Sequence, residues 1–181
     1  MANYRRNKVA GGSFFFTVNL ADRRSELLTD NIDLLRNVFR SVGKHHPFTL
    51  EAIVFLPEHL HCIWTLPAGD ADFAMRWRLI KTEFSKRIAA GERRSSSRMG
   101  KGERGIWQRR YWEHTLRDER DFEAHCEYIH FNPVKHGYVA RAADWPFSSL
   151  KKFIRSGVYA ADWGGSDADY ALNCGERSVG D

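Results

Sequence analysis

Two apolar segments, residues 48–56 and 59–66, are parted only by Pro57 and Glu58. A connector that short joins antiparallel neighbours, because a parallel return needs a crossover of a dozen residues or more. The pair is therefore expected to be a hairpin around a tight break. Residues 13–20 form another strand, punctuated at its start by Gly11-Gly12. Phe14, Phe16, Val18 and Leu20 fall on one face of it, and Phe15, Thr17 and Asn19 on the other. Between these strands Asp30 can cap a helix running to about Gly43, with Leu34, Leu35, Val38, Phe39 and Val42 at helical spacing. A second helix is expected over 73–90, with Trp77, Ile80, Phe84 and Ile88 on one stripe. A Ser/Gly/Arg-rich loop over 91–105 and an aromatic-rich fourth strand over 106–116 follow. Asp118 can cap a third helix that is expected to stop near Asn132, because Pro133 comes next. His136-Gly137 turns the chain, Trp145-Pro146-Phe147-Ser148-Ser149 makes a rigid turn, and a short helix runs through Phe153. The order β-α-β-β-α-β is the split βαβ arrangement. The expected class is α+β and ferredoxin-like, an antiparallel sheet with helices on one face and further helices appended at the C-terminal end.

The chain has 181 residues, enough for one domain, expected over 1–165 with an acidic tail over 166–181. Cys62, Cys126 and Cys174 are odd in number and lack metal-knuckle spacing, which disfavours a disulfide scaffold and a Cys-type zinc finger. No apolar run approaches the ~18 residues of a membrane helix. The basic start at Arg5 and Arg6 leads into no apolar leader segment, so a cytoplasmic location without membrane contact is expected. The net charge of +5 is unevenly spread. Residues 72–110 hold 12 Lys/Arg against four Asp/Glu, a local +8, whereas 158–181 hold one Arg against five acids, a local −4. A basic stretch exceeding the whole chain's charge fits either a polyanion partner, nucleic acid first, or a solvated basic surface.

Two patterns carry chemistry. In Pro57-Glu58-His59-Leu60-His61-Cys62-Ile63-Trp64 the strand alternation sends His59 and His61 to one face, with Cα atoms about 7 Å apart. Two imidazoles so placed can converge on one cation, or can be polar residues on a wet face. On the third helix Asp121, His125, Tyr128 and Asn132 share a face at i, i+4, i+7 and i+11. Tyr128 is either a packing residue with a wet hydroxyl or a nucleophile, and Asn132 either a helix C-cap or a ligand. Together the patterns allow a metal held by two histidines and an asparagine beside a phenol that attacks a phosphodiester. A free tyrosine has a pKa of about 10, so the site must supply a cation, a base or both.

Pro57-Glu58-His59-Leu60-His61 resembles the HUH motif of single-strand DNA transposases and nucleases. Tyr128-Ile129-His130-Phe131-Asn132-Pro133-Val134-Lys135-His136-Gly137 resembles the tyrosine helix of the REP-associated tyrosine transposases. Tyr4-Arg5-Arg6, the segment from Gly11 to Leu20, Trp107-Gln108-Arg109-Arg110-Tyr111-Trp112-Glu113-His114 and Asp144-Trp145-Pro146-Phe147-Ser148 are similar to that family in order and spacing. The resemblance implies an HUH core, His59, His61 and Asn132 as ligands of Mg²⁺ or Mn²⁺, and Tyr128 as the single nucleophile. It implies cleavage of single-stranded DNA through a 5′-phosphotyrosine link at repetitive extragenic palindromes, which are DNA hairpins. The protein would work near the nucleoid as a monomer; relatives from insertion sequences act as dimers.

Expected DNA contacts are Arg5 and Arg6 at the hairpin foot, a phosphate clamp of Arg93, Arg94, Arg98, Lys101 and Arg104, and its extension by Arg76, Arg78 and Lys81. Trp107 and Trp112 either stack unpaired bases or pack in the core. Glu58 is expected to salt-bridge at the turn, with a base or a residue supporting the metal ligands as the alternative, and the acidic tail is a candidate cover for the basic cleft. Three other functions compete: a catalytically silent binder of hairpin DNA, a replication or mobilisation nuclease of the wider HUH class, and a protein-binding ferredoxin-like module, which the +8 stretch disfavours. The second is disfavoured by the short chain and the single plausible tyrosine.

Overall fold

A computed structural model describes residues 7–91, 96–100 and 102–164. The expected order of elements is present: β1 (Ser13–Asn19), α1 (Leu27–Asp30), α2 (Ile32–His45), β2 (Thr49–Phe55), β3 (His59–Thr65), α3 (Phe73–Arg87), α4 (Ser96–Met99), β4 (Trp112–Thr115), α5 (Glu119–Lys135) and α6 (Leu150–Arg155). The strands form one sheet in the order β2-β3-β1-β4. Every neighbouring pair is antiparallel, so the α+β, ferredoxin-like class holds.

The helices do not keep to one face. Phe14, Phe16 and Val18 of β1 and Leu60, Cys62 and Trp64 of β3 pack with Leu35, Val38 and Phe39 of α2 and Trp77, Ile80 and Phe84 of α3. Phe15, Val54 and Ile63 point the other way and pack under Cys126, Tyr128 and Ile129 of α5. A strand period of two defines two faces but not what covers the second. That second cover matters most here, because His59 and His61 lie beneath it.

Other boundaries differ for local reasons. Asp30 ends α1 instead of capping α2, which starts after Asn31. Part of the expected 91–105 loop is helical, in α4. β4 is shorter than expected. Residues before it join the sheet through the Leu20–Trp107 bridge, just past the end of β1, and Trp107 turns inward against Phe84 of α3, the rings 5.5 Å apart. Asp118 caps α5 as expected, accepting from the Asp121 N–H at 2.8 Å. Pro133 does not stop α5, which continues to Lys135. Near a helix end proline forfeits only one backbone bond. The stop comes from Gly137, at φ 73°, where Gly137 N–H donates to Val134 O and Tyr138 N–H to Pro133 O, a Schellman ending.

The C-terminal segment is held from beneath. His130, fully buried, donates from Nε2 to Ser149 Oγ at 2.8 Å, while Ser149 donates to Ile53 O. Burial pushes the His130 imidazole down to about 3, so it is neutral at physiological pH. The Trp145 indole donates to Phe55 O at 2.9 Å, fixing the turn on β2.

Candidate active site

The C-terminal half of α5 crosses β3, and the chemistry-bearing side chains meet there. Thr17 and His61 are register partners on β1 and β3, and Thr17 Oγ1 lies 2.9 Å from His61 Nδ1. His59 Nδ1 donates to Glu58 Oε1 at 2.8 Å. With Nδ1 engaged on both rings, coordination of a cation would run through Nε2 on each. The two rings stand 4.9 Å apart at 84°. Both are buried, 1% and 0% exposed, so the wet-face alternative does not describe them.

α5 supplies the cover. The Tyr128 ring lies 5.3 Å from His61 and 5.9 Å from Phe15, and the His136 ring lies 5.2 Å from His59. Asn132 stands on the same helix face, four residues from each. It is fully buried inside α5, and its carbonyl accepts from His136 N–H, so it is not the helix C-cap. Its side-chain Oδ1 and Nδ2 meet no hydrogen-bond partner among the described residues. Leaving a buried polar group so costs about 1–3 kcal/mol.

Glu58 belongs to the site, not only to the turn. Burial alone would raise its carboxyl. The hydrogen bond and charge of His59, helped by Arg23, hold it instead at about 2. Arg23 Nη2 sits 3.3 Å from Glu58 Oε1, and Arg23 Nη1 donates to Asn19 Oδ1. Tyr138 donates to Glu58 Oε2 at 3.3 Å, and burial together with that carboxylate raises its phenol. Tyr128 has a different neighbour: Lys135 Nζ donates to its hydroxyl at 3.2 Å and lies 4.7 Å from its ring centre. Lys135 and Arg23 escaped the sequence reading. Spacing of seven residues does put Lys135 on the Tyr128 face, but only the fold brings Arg23 to Glu58.

A second cluster lies further along α5. His114, Asp121 and His125 bring ligand atoms within 4.8 Å of one another. The Asp121 carboxylate, His114 Nε2 and His125 Nδ1 already have partners. His114 Nε2 and Arg117 Nε donate to Asp121 Oδ2 at 2.9 and 3.2 Å, and His125 Nδ1 donates to the Asp121 carbonyl at 2.7 Å. Although burial opposes it, these donors hold the Asp121 carboxyl at about 2, whereas burial lowers His125. The cluster braces β4 against α5.

The expected DNA contacts divide. Arg5, Arg6, Arg93, Arg94 and Lys101 lie outside the described residues. Arg76 is corrected: it is 1% exposed and donates to His46 O, Pro47 O, Asp72 O and Asp70 Oδ2, so it ties α3 to the start of β2 and cannot meet a strand. Lys81 donates to Gln108 O and lies over Tyr111, Arg98 donates to Gly105 O, and Arg104 donates to Ser85, Ile88 and Ala89 carbonyls at the end of α3. Arg78 is exposed. It sits on α3, across the sheet from His59 and His61. Trp107 is core, whereas Trp112 is 40% exposed and stacks on His114 at 4°.

Known proteins match this chain along its length. The family model described as transposase IS200 like matches residues 15–132. A REP-associated tyrosine transposase of Escherichia coli (strain K12) is 45% identical over 179 residues, 99% of each chain. One described as a putative REP-associated tyrosine transposase, from Haemophilus influenzae, is 42% identical over 167 residues, covering 92% of this chain and 95% of that one. A solved structure of a REP-associated tyrosine transposase bound to a REP hairpin superposes with a TM-score of 0.81 at 44% identity, covering 99% of this chain and all of the other.

Proposed function

The chain belongs to the IS200-like transposases, among the REP-associated tyrosine transposases, and from that premise we propose that it cleaves and rejoins single-stranded DNA beside REP hairpins, with Tyr128 as nucleophile. The observation that carries this assignment is the packing of Tyr128 of α5 against the His61 ring, itself beside His59, with Asn132 buried one turn further along the same helix.

The donor set fits a divalent cation. Nδ1 of His59 is held by a carboxylate, the usual support for a ligating imidazole, and Asn132 offers a buried amide oxygen with no hydrogen-bond partner among the described residues. Imidazole is not the favoured ligand of Mg²⁺, so phosphate and water oxygens would complete the shell of Mg²⁺ or Mn²⁺. When bound, the ion would polarise the scissile phosphate and neutralise charge developing on its oxygens.

Tyr128 Oη attacks phosphorus, the Oη–P bond forms, and the P–O3′ bond breaks. The products are a 5′-phosphotyrosine link and a free 3′-hydroxyl. The phosphodiester energy is kept in the link, so attack by another 3′-hydroxyl rejoins the strand without ATP. Tyr138 is the poorer candidate, because the neighbouring Glu58 carboxylate opposes its ionisation. Action as a monomer is part of the same proposal, with Tyr128 packed against His61 of its own chain. Hairpin recognition extends to this chain from the REP-hairpin-bound relative, with Arg78 the exposed expected contact.

A test uses hairpin oligonucleotides carrying a single-stranded flank. With Mn²⁺ or Mg²⁺ the wild type is expected to give a protein–DNA adduct on denaturing gels, and chelator or Tyr128→Phe to abolish it. Tight hairpin binding without cleavage under either metal would instead support a silent binder.

A further inference from the structure

One cation reaches the proposed nucleophile, and neither the metal ligands nor the expected DNA contacts include it. Lys135 leaves the last turn of α5 and folds back along the helix, so that Nζ donates to Tyr128 Oη at 3.2 Å. Side chains on a helix lean toward its N-terminus, which favours this reach across two turns. A lysine at a helix end ordinarily faces the terminal carbonyls. Here the last carbonyls are served by the backbone N–H groups of His136, Gly137 and Tyr138, and the ammonium is directed to the phenol instead.

We propose that Lys135 is a catalytic residue that grips the scissile phosphate while Tyr128 attacks and while it leaves; this rests on Tyr128 being the nucleophile. An ammonium carries three donors, so it can hold the attacking oxygen and a non-bridging phosphate oxygen together. Once Oη is bonded to phosphorus, the non-bridging oxygens on that phosphorus lie one phosphate edge from Oη, the atom that Nζ already contacts. Charge gathers on those oxygens as the Oη–P bond forms and the P–O3′ bond breaks. The tyrosine proton passes to solvent, and the departing 3′-oxygen takes one up from solvent. The reverse step forms P–O3′ and releases Oη with the same atoms around the same phosphate. Lys135 therefore serves cleavage and rejoining alike. A point charge placed where charge develops acts on the transition state more than on the bound substrate.

The test is single-turnover cleavage and rejoining at saturating hairpin by the full chain, comparing wild type, Lys135→Met and Lys135→Arg. Lys135→Met is expected to slow both directions by about 100-fold, with hairpin affinity changed far less, and Lys135→Arg to recover most of the rate. A substrate with a methylphosphonate at the scissile position supplies the readout that a structural role would not move. It removes the anionic oxygen, so its penalty should be smaller in Lys135→Met than in wild type by the share that the lysine supplies, the metal's share remaining in both. Wild-type rates in Lys135→Met, or penalties that multiply in full, overturn the proposal. If Lys135→Met misfolds by circular dichroism, Lys135→Gln against Lys135→Arg gives the same contrast. Tyr128→Phe separates the two claims. An adduct surviving there removes the nucleophile assignment itself, whereas a dead Tyr128→Phe beside a fully active Lys135→Met removes the lysine alone.

Discussion

Glu58 and His59 show how much of a site is set by the residue behind a ligand. The carboxylate fixes the imidazole with Nδ1 protonated, directs Nε2 outward and is itself kept ionised by the same contact. Replacing Glu58 with Gln keeps the shape but removes the charge. Mn²⁺ affinity, measured by isothermal titration calorimetry, is then expected to fall by about 10-fold or more; unchanged affinity would show that the His59 contact is not part of a metal site. The Glu58-His59 adjacency is printed in the sequence, yet on a strand neighbouring side chains point to opposite faces. What joins them is the tight turn, where Glu58 precedes β3. The two histidines and Tyr128 were readable as candidates because alternation and helical spacing put each on a definite face. That these faces oppose one another was not readable, because it depends on where α5 docks.

At the scale of elements, Arg76 decides how the basic stretch should be understood. Its guanidinium is buried against the chain entering β2 and paired with Asp70 at 2.6 Å. Arg76→Met leaves those carbonyls unbonded and is expected to cost about 2–4 kcal/mol in urea unfolding. The bond from Arg76 holds the Asp70 carboxyl below its ordinary value. A depressed carboxyl stabilises the fold above its unfolded value and loses that contribution as pH falls through the folded one. Asp70→Asn should therefore lower the melting temperature at pH 7, and the gap to wild type should close as the pH drops below about 4; a gap independent of pH would show that charge is not its source. Composition counted Arg76, Lys81, Arg98 and Arg104 as free positive charge, because a charge count cannot see backbone carbonyls converging from distant segments. The β2–β3 hairpin, by contrast, was legible from its two-residue connector alone. Pro133 misled because a local rule about helix interiors was applied one turn from a helix end.

The candidate site and the exposed Arg78 of α3 lie on opposite sides of one sheet. α5 roofs His59 and His61, whereas α2 and α3 cover the other face. A hairpin touched by both layers must pass an edge of the sheet, so contacts on α3 would serve affinity more than chemistry. Arg78→Glu is accordingly expected to weaken hairpin binding at every salt concentration and to flatten the slope of log affinity against log salt by about one. A slope equal to that of wild type would remove Arg78 from the interface. The proposed nucleophile is a single oxygen atom, Tyr128 Oη. To locate it, the protein–DNA adduct is trapped, digested with protease and nuclease, and the nucleotide-bearing peptide identified by mass spectrometry. The nucleotide is expected on Tyr128. A nucleotide on Tyr138 or on any other residue would contradict it.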